Sequence, residues 1–98
     1  MNALQKKAEF FESKIMAHAL VLRAQVRLDD DRPVEAREDA LLASSIDPSH
    51  VSVWRVLADV EEANKNIPKA IEALQKWAEN NPLFSSKVDN EITRLTTV

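Results

Sequence analysis

Residues 44–50 read SSIDPSH and residues 78–84 read AENNPLF, so Pro48 and Pro82, each behind an Asp or Asn, stand 34 positions apart. The same shift superimposes Ala24 on Ala58, Val26 on Val60, Ala36 on Ala70 and Glu38 on Glu72. Similar pairs fill in around them: Leu20 with Trp54, Ala19 with Val53, Ala40 with Leu74 and Asp47 with Asn81. A fixed internal period means that one supersecondary unit is used twice, each copy burying an apolar face against its neighbour. Valine and isoleucine recur at spacings of three and four rather than two, which suits helices and not half-buried strands. The expected fold class is all-α.

A 34-residue helix–turn–helix period resembles the tetratricopeptide repeat. The residues that carry the resemblance are Leu20, Ala24, Ala36, Ala40, Ala43 and Pro48 in one copy, and Trp54, Leu57, Ala58, Ala70, Leu74, Trp77 and Pro82 in the other. It covers about residues 17–84 and departs from the family pattern at Arg23, where an apolar residue is usual, and at Trp77, where a small one is usual. The resemblance implies a right-handed stack of antiparallel helical hairpins. On that reading residues 1–98 form one domain, with an N-terminal helical extension (1–16), repeat 1 (17–50), repeat 2 (51–84) and a closing helix (85–98).

The residues themselves support hairpins. Ala24, Ala36, Ala58 and Ala70 are small where two helices cross closely, as ridge-into-groove packing requires. Pro33 and Pro68 fit first helical turns, where a missing N–H has no partner to lose. Asp47 and Asn81, each before a proline, are expected to cap the helices that follow. Helices are expected near 33–46, 49–64, 67–80 and 84–96. Leu4, Ala8, Phe11, Ile15, Leu22 and Val26 fall on one stripe at helical spacing, and neither glycine nor proline interrupts 3–29. One long first helix is the preferred reading, and a break near Ser13–His18 is the alternative.

Composition removes several kinds of chemistry. The chain has no glycine, so phosphate-cradling loops, dinucleotide fingerprints and the strained nucleophile turn are excluded. It has no cysteine, which excludes disulfides, thiolate metal sites and a cysteine nucleophile, and fits a cytoplasmic setting. A net charge of −3 gives no general attraction for nucleic acid or anionic lipid. No apolar run is long enough to span a bilayer and no signal-peptide core opens the sequence, so no membrane insertion is expected.

The candidate sites are correspondingly few. DDDR at 29–32 lacks the alternating ligands and glycine of a calcium loop; it reads as a turn in which Asp31 takes the left-handed conformation. His18 and His50 lack the partners of a metal site, and Ser44, Ser45 and Ser49 beside His50 do not make a triad. No metal, cofactor or catalytic residue is expected. KKAEFFESK at 6–14 interleaves Glu9 and Glu12 with its lysines and reads as an amphipathic helix rather than a nucleic-acid site.

The resemblance implies that the first helices of the hairpins line a concave face holding a peptide or amphipathic helix of another protein. That face would carry Val21, Leu22, Gln25, Arg55, Val56, Asp59 and Asn90. One subfamily clamps the terminal carboxylate of heat-shock chaperones there with Lys, Asn and Arg. This chain has Val21, Gln25 and Val56 at the matching positions, and Ser86 and Asn90 on the closing helix, so carboxylate capture is not expected. The expectation is a non-catalytic interaction module, adaptor or scaffold, with an apolar Val21–Leu22–Val56 patch. The alternative is an assembly element that self-associates or belongs to a longer array. In that reading Leu4, Phe11 and Ile15 project past the first hairpin and pair two copies into a homodimer.

Overall fold

Two positions past the end of the first helix and of the third stands a residue with positive φ, Asp31 at 57° and Lys65 at 62°, and these lie 34 positions apart. Each is the left-handed position of a Schellman turn. Asp31 N–H donates to Leu28 O and Arg32 N–H to Arg27 O; Lys65 N–H donates to Glu62 O and Asn66 N–H to Glu61 O. The turn at Asp31 is the one expected from DDDR. Lysine has no side-chain reason to adopt this conformation, so the position of Lys65 is imposed by the turn.

The computed structural model describes residues 3–97. Its helices are α1 (Ala3–Asp29), α2 (Pro33–Ile46), α3 (Val53–Ala63), α4 (Ile67–Asn80) and α5 (Ser85–Thr96), with a 3-10 turn at Pro82–Phe84 before α5. Among the described residues there is no strand. The 14-residue helices α2 and α4 begin and end 34 positions apart, and α1 runs unbroken through the segment where the alternative placed a break. α1 packs on α2, α3 packs on α4, the two hairpins meet chiefly through α2 and α3, and α5 closes on α4.

The core lies along the helix crossings. Ala24, Ala36 and Ala70 are fully buried and Ala58 nearly so, which lets helix axes approach. Leu20, Val21, Val53, Val56, Val60, Leu74, Trp77 and Val88 fill the space around them. Trp77, one of the two departures, is buried and stacks on Phe84 with ring centroids 5.1 Å apart. The other, Arg23, donates twice to the buried Asp39 of α2 at 2.9 and 2.7 Å, and Arg27 adds a third bond at 3.0 Å. Arg37 of α2 donates to the buried Glu61 of α3 at 2.6 Å, joining the two hairpins.

Two local expectations need correcting. α3 begins at Val53, not 49, with Ser52 at its N-cap. Asp47 ends α2 and is not the N-cap of α3; Asn81 ends α4 and also stands at the N-cap of the Pro82–Phe84 turn, but its side chain caps nothing there. Asp47 turns its carboxylate onto the N–H and hydroxyl of Ser49, an Asx turn that competes with helix initiation. Asn81 donates from its side chain to Trp77 O instead.

Candidate interaction surfaces

At 100° per residue, α1 has two apolar faces roughly 165° apart. Ala17, Leu20, Val21 and Ala24 are buried against the chain's own core. Leu4, Phe11, Ile15, Leu22 and Val26, the stripe read from the sequence, are 78, 60, 69, 49 and 64% exposed, and Ala8 and Ala19 lie exposed among them. The stripe therefore faces away from the core along its whole length. Spacing alone could not show this, because both faces repeat at three and four residues. The available signal was that the repeat alignment puts Leu20 and Ala24 in the core, on the side opposite Leu22 and Val26.

The residues expected to line a concave face are placed differently. Val21 and Val56 are each only 2% exposed. They belong to the core where α1, α2 and α3 meet, so the Val21–Leu22–Val56 patch does not exist as a surface. Leu22 lies on the outward stripe instead. Gln25 and Asn90 are exposed, and Arg55 and Asp59 half-buried. Arg55 donates to Asp59 at 2.6 Å and to Glu91 of α5, and its guanidinium covers the Trp77 ring at 5.4 Å. Burial opposes its charge, but the bonds to Asp59 and Glu91 outweigh that and raise its pKa. The face is polar, and its charged residues Arg55 and Asp59 are already paired within the chain.

The structure joins the two histidines that the sequence left apart. His50 Nδ1 accepts from Ser52 N–H at 3.1 Å, so the proton of neutral His50 sits on Nε2 and points to His18 Nδ1, 3.0 Å away. Lys14 donates to Asp47 and to Ser49 beside them, both at 3.0 Å. Burial, with smaller contributions from His18 and Lys14, lowers the His50 pKa against the opposing pull of Asp47. The Asp47 carboxyl is held below its ordinary value by the Ser49 hydroxyl, with Lys14 assisting. The cluster ties α1 to the turn between the hairpins. In neutral His50 the bond from Ser52 turns an N–H toward the Nδ1 lone pair of His18. Among the described residues no group of three or more His, Cys, Asp or Glu could hold a metal.

A cleft of about 350 Å³ opens between α2 and α4 over α3, with Leu41, Trp54, Leu57 and Glu61 among its lining residues. Trp54 is half-buried at its edge rather than in the core, donates to Pro48 O at 2.8 Å, and lies under the Lys76 ammonium. Glu61 spends one carboxylate oxygen on Arg37, and among the described residues nothing donates to the other. No described helix is long and apolar enough to cross a membrane.

Set against protein-family models, curated proteins and solved structures, the chain matches none.

Proposed function

We propose that the chain is a non-catalytic protein-interaction module of the tetratricopeptide type, acting as an adaptor or scaffold that holds a helix of a partner protein. The repeat reading rests on the 34-residue spacing of its turns, of α2 and α4, and of the buried alanines. The observation that carries the functional reading is the outward face of α1. It presents five large apolar side chains, each about half or more exposed, over a helix of 27 residues. Contiguous apolar surface of that kind marks an interaction site, and an exposed helix face at three- and four-residue spacing suits a second helix.

The concave face is the weaker candidate, because its charges are satisfied within the chain and its valines are buried. The absence of cysteine fits a cytoplasmic setting. Immobilised chain, exposed to extract of its native cell, should retain a defined protein that is lost with Leu22→Glu and kept with Asn90→Ala. Retention by the Leu22→Glu variant together with loss on Asn90→Ala would place the site on the concave face and contradict the reading.

A further inference from the structure

The chain itself shows what covers the outward face of a first helix. Ala19, Leu22 and Val26 of α1 correspond, 34 positions on, to Val53, Val56 and Val60 of α3. Those three valines are 0, 2 and 0% exposed, because the first hairpin packs on α3. On α1 the same positions lie open, with Leu22 49% and Val26 64% exposed. The two ends of the described stack are unlike. The last hairpin is closed by α5, which buries Val88 inward and exposes Ser86, Lys87, Asp89 and Asn90 outward, as a terminal cap does. The first hairpin presents apolar residues instead.

The open strip also has an internal symmetry. Leu4, Ala8, Phe11, Ile15, Ala19, Leu22 and Val26 are spaced 4, 3, 4, 4, 3, 4, which reads the same in both directions about Ile15. A second copy laid antiparallel about a two-fold axis at Ile15 sets Ile15 on Ile15, Phe11 on Ala19, Leu22 on Ala8 and Leu4 on Val26. The large side chains Phe11 and Leu22 thereby meet alanines, so that each knob faces a gap. The strip contains no charged residue. A stack of copies head to tail would have to bury the polar face of α5 against this strip, whereas the two-fold arrangement joins like ends and leaves both caps in water.

We infer that the outward face of α1 is a self-association surface, and that its occupant is α1 of a second copy of this chain, antiparallel, with the two-fold axis at Ile15. This deepens the interaction reading above and rests on it, the partner helix being the chain's own. The strip is about 33 Å long, and a contact of one helix pair lies at the small end of specific interfaces. The dimer should therefore form reversibly in the micromolar range.

Sedimentation velocity of the full chain, from low to high micromolar concentration, tests it. The unmodified chain should move from monomer to dimer, and Ile15→Glu should stay monomeric at every concentration with unchanged helicity. Leu83→Glu, which removes an apolar side chain 96% exposed elsewhere on the surface, should dimerise as before. Phe11→Ala and Ala19→Phe should each weaken the dimer, and the two changes combined should restore it. A monomer at high micromolar concentration would overturn the inference, as would association that survives Ile15→Glu, association lost on Leu83→Glu, or failure of the combined change to restore what the single ones weaken. A monomer that still captured a foreign protein through Leu22 would overturn the second copy as occupant and leave the interaction reading standing.

Discussion

Replacing Ala58 by leucine should destabilise the fold by about 2 kcal/mol, because the side chain has no room to enlarge. Ala58 is 3% exposed on α3, and Ala70 on the facing helix α4 is fully buried. Three added carbon atoms at such a crossing must push the helices apart or force neighbouring rotamers out of their wells, which typically costs about 1–3 kcal/mol. In a domain of this size 1 kcal/mol moves the melting temperature by about 4–8 °C, so the expected drop is about 8–16 °C. Ala63→Leu is the matched control. It lies at the end of the same helix with its side chain exposed, and surface changes usually stay within about 0.5 kcal/mol. Both changes belong in the Ile15→Glu background, since association would make the melting temperature depend on concentration. Thermal unfolding followed by far-ultraviolet circular dichroism reads the difference directly. Equal melting of the two variants would refute the close crossing of α3 and α4, and the repeat register with it.

Lys65→Gly should stabilise by about 1 kcal/mol, since glycine adopts the left-handed conformation at 62° without the strain that any side chain brings; an unchanged or lower urea midpoint would contradict the Schellman geometry. Arg37→Ala should cost about 3 kcal/mol, because it leaves the Glu61 carboxylate buried without a cation. Adding Glu61→Leu should recover most of that in urea unfolding, and a second loss of equal size would show that the ion pair was not what Arg37 supplied. The folded His50 pKa lies below its ordinary 6.5, so below that pH the unfolded chain takes up the proton first. The stability present above 6.5 is then lost as pH falls through the folded value. The urea midpoint should fall on going from about pH 7 to about pH 5.5, and fall less in His50→Leu; a midpoint that rose on acidification would have the sign wrong.

Much of the architecture was legible because it was written twice. The alanines at 24, 36, 58 and 70 named the close crossings, and DDDR named the left-handed Asp31. Lys65 was illegible by residue type, and only the 34-residue shift from Asp31 points to it. Asp47 and Asn81 misled for a physical reason: an Asx side chain before proline can serve an incoming helix or close a local turn, and here Asp47 bonds Ser49 while Asn81 bonds Trp77. The site was half legible. Periodicity identified the stripe from Leu4 to Val26 but not its direction, since the core face of α1 carries the same spacing. Val21 and Val56 were assigned to a surface by analogy with a concave face, and the seam between hairpins buries them. The His18–His50 contact joins residues 32 apart through the turn after α2, and no local pattern announces such a pair.

If α1 meets α1 antiparallel with the two-fold axis at Ile15, distances between spin labels on the two copies must follow that geometry. The chain has no cysteine, so single cysteines can be placed at exposed positions flanking the strip, such as Glu12, Lys7 and Gln25. In the antiparallel pair, the axial separation between the same residue on the two copies grows by about 3 Å for each position away from Ile15, twice the helical rise. Double electron–electron resonance should therefore find the shortest separation for label 12, a longer one for label 7 and the longest for label 25. No dipolar coupling at high micromolar concentration, or a separation that does not change along the helix as in a parallel pair, would show that α1 does not pair antiparallel about Ile15.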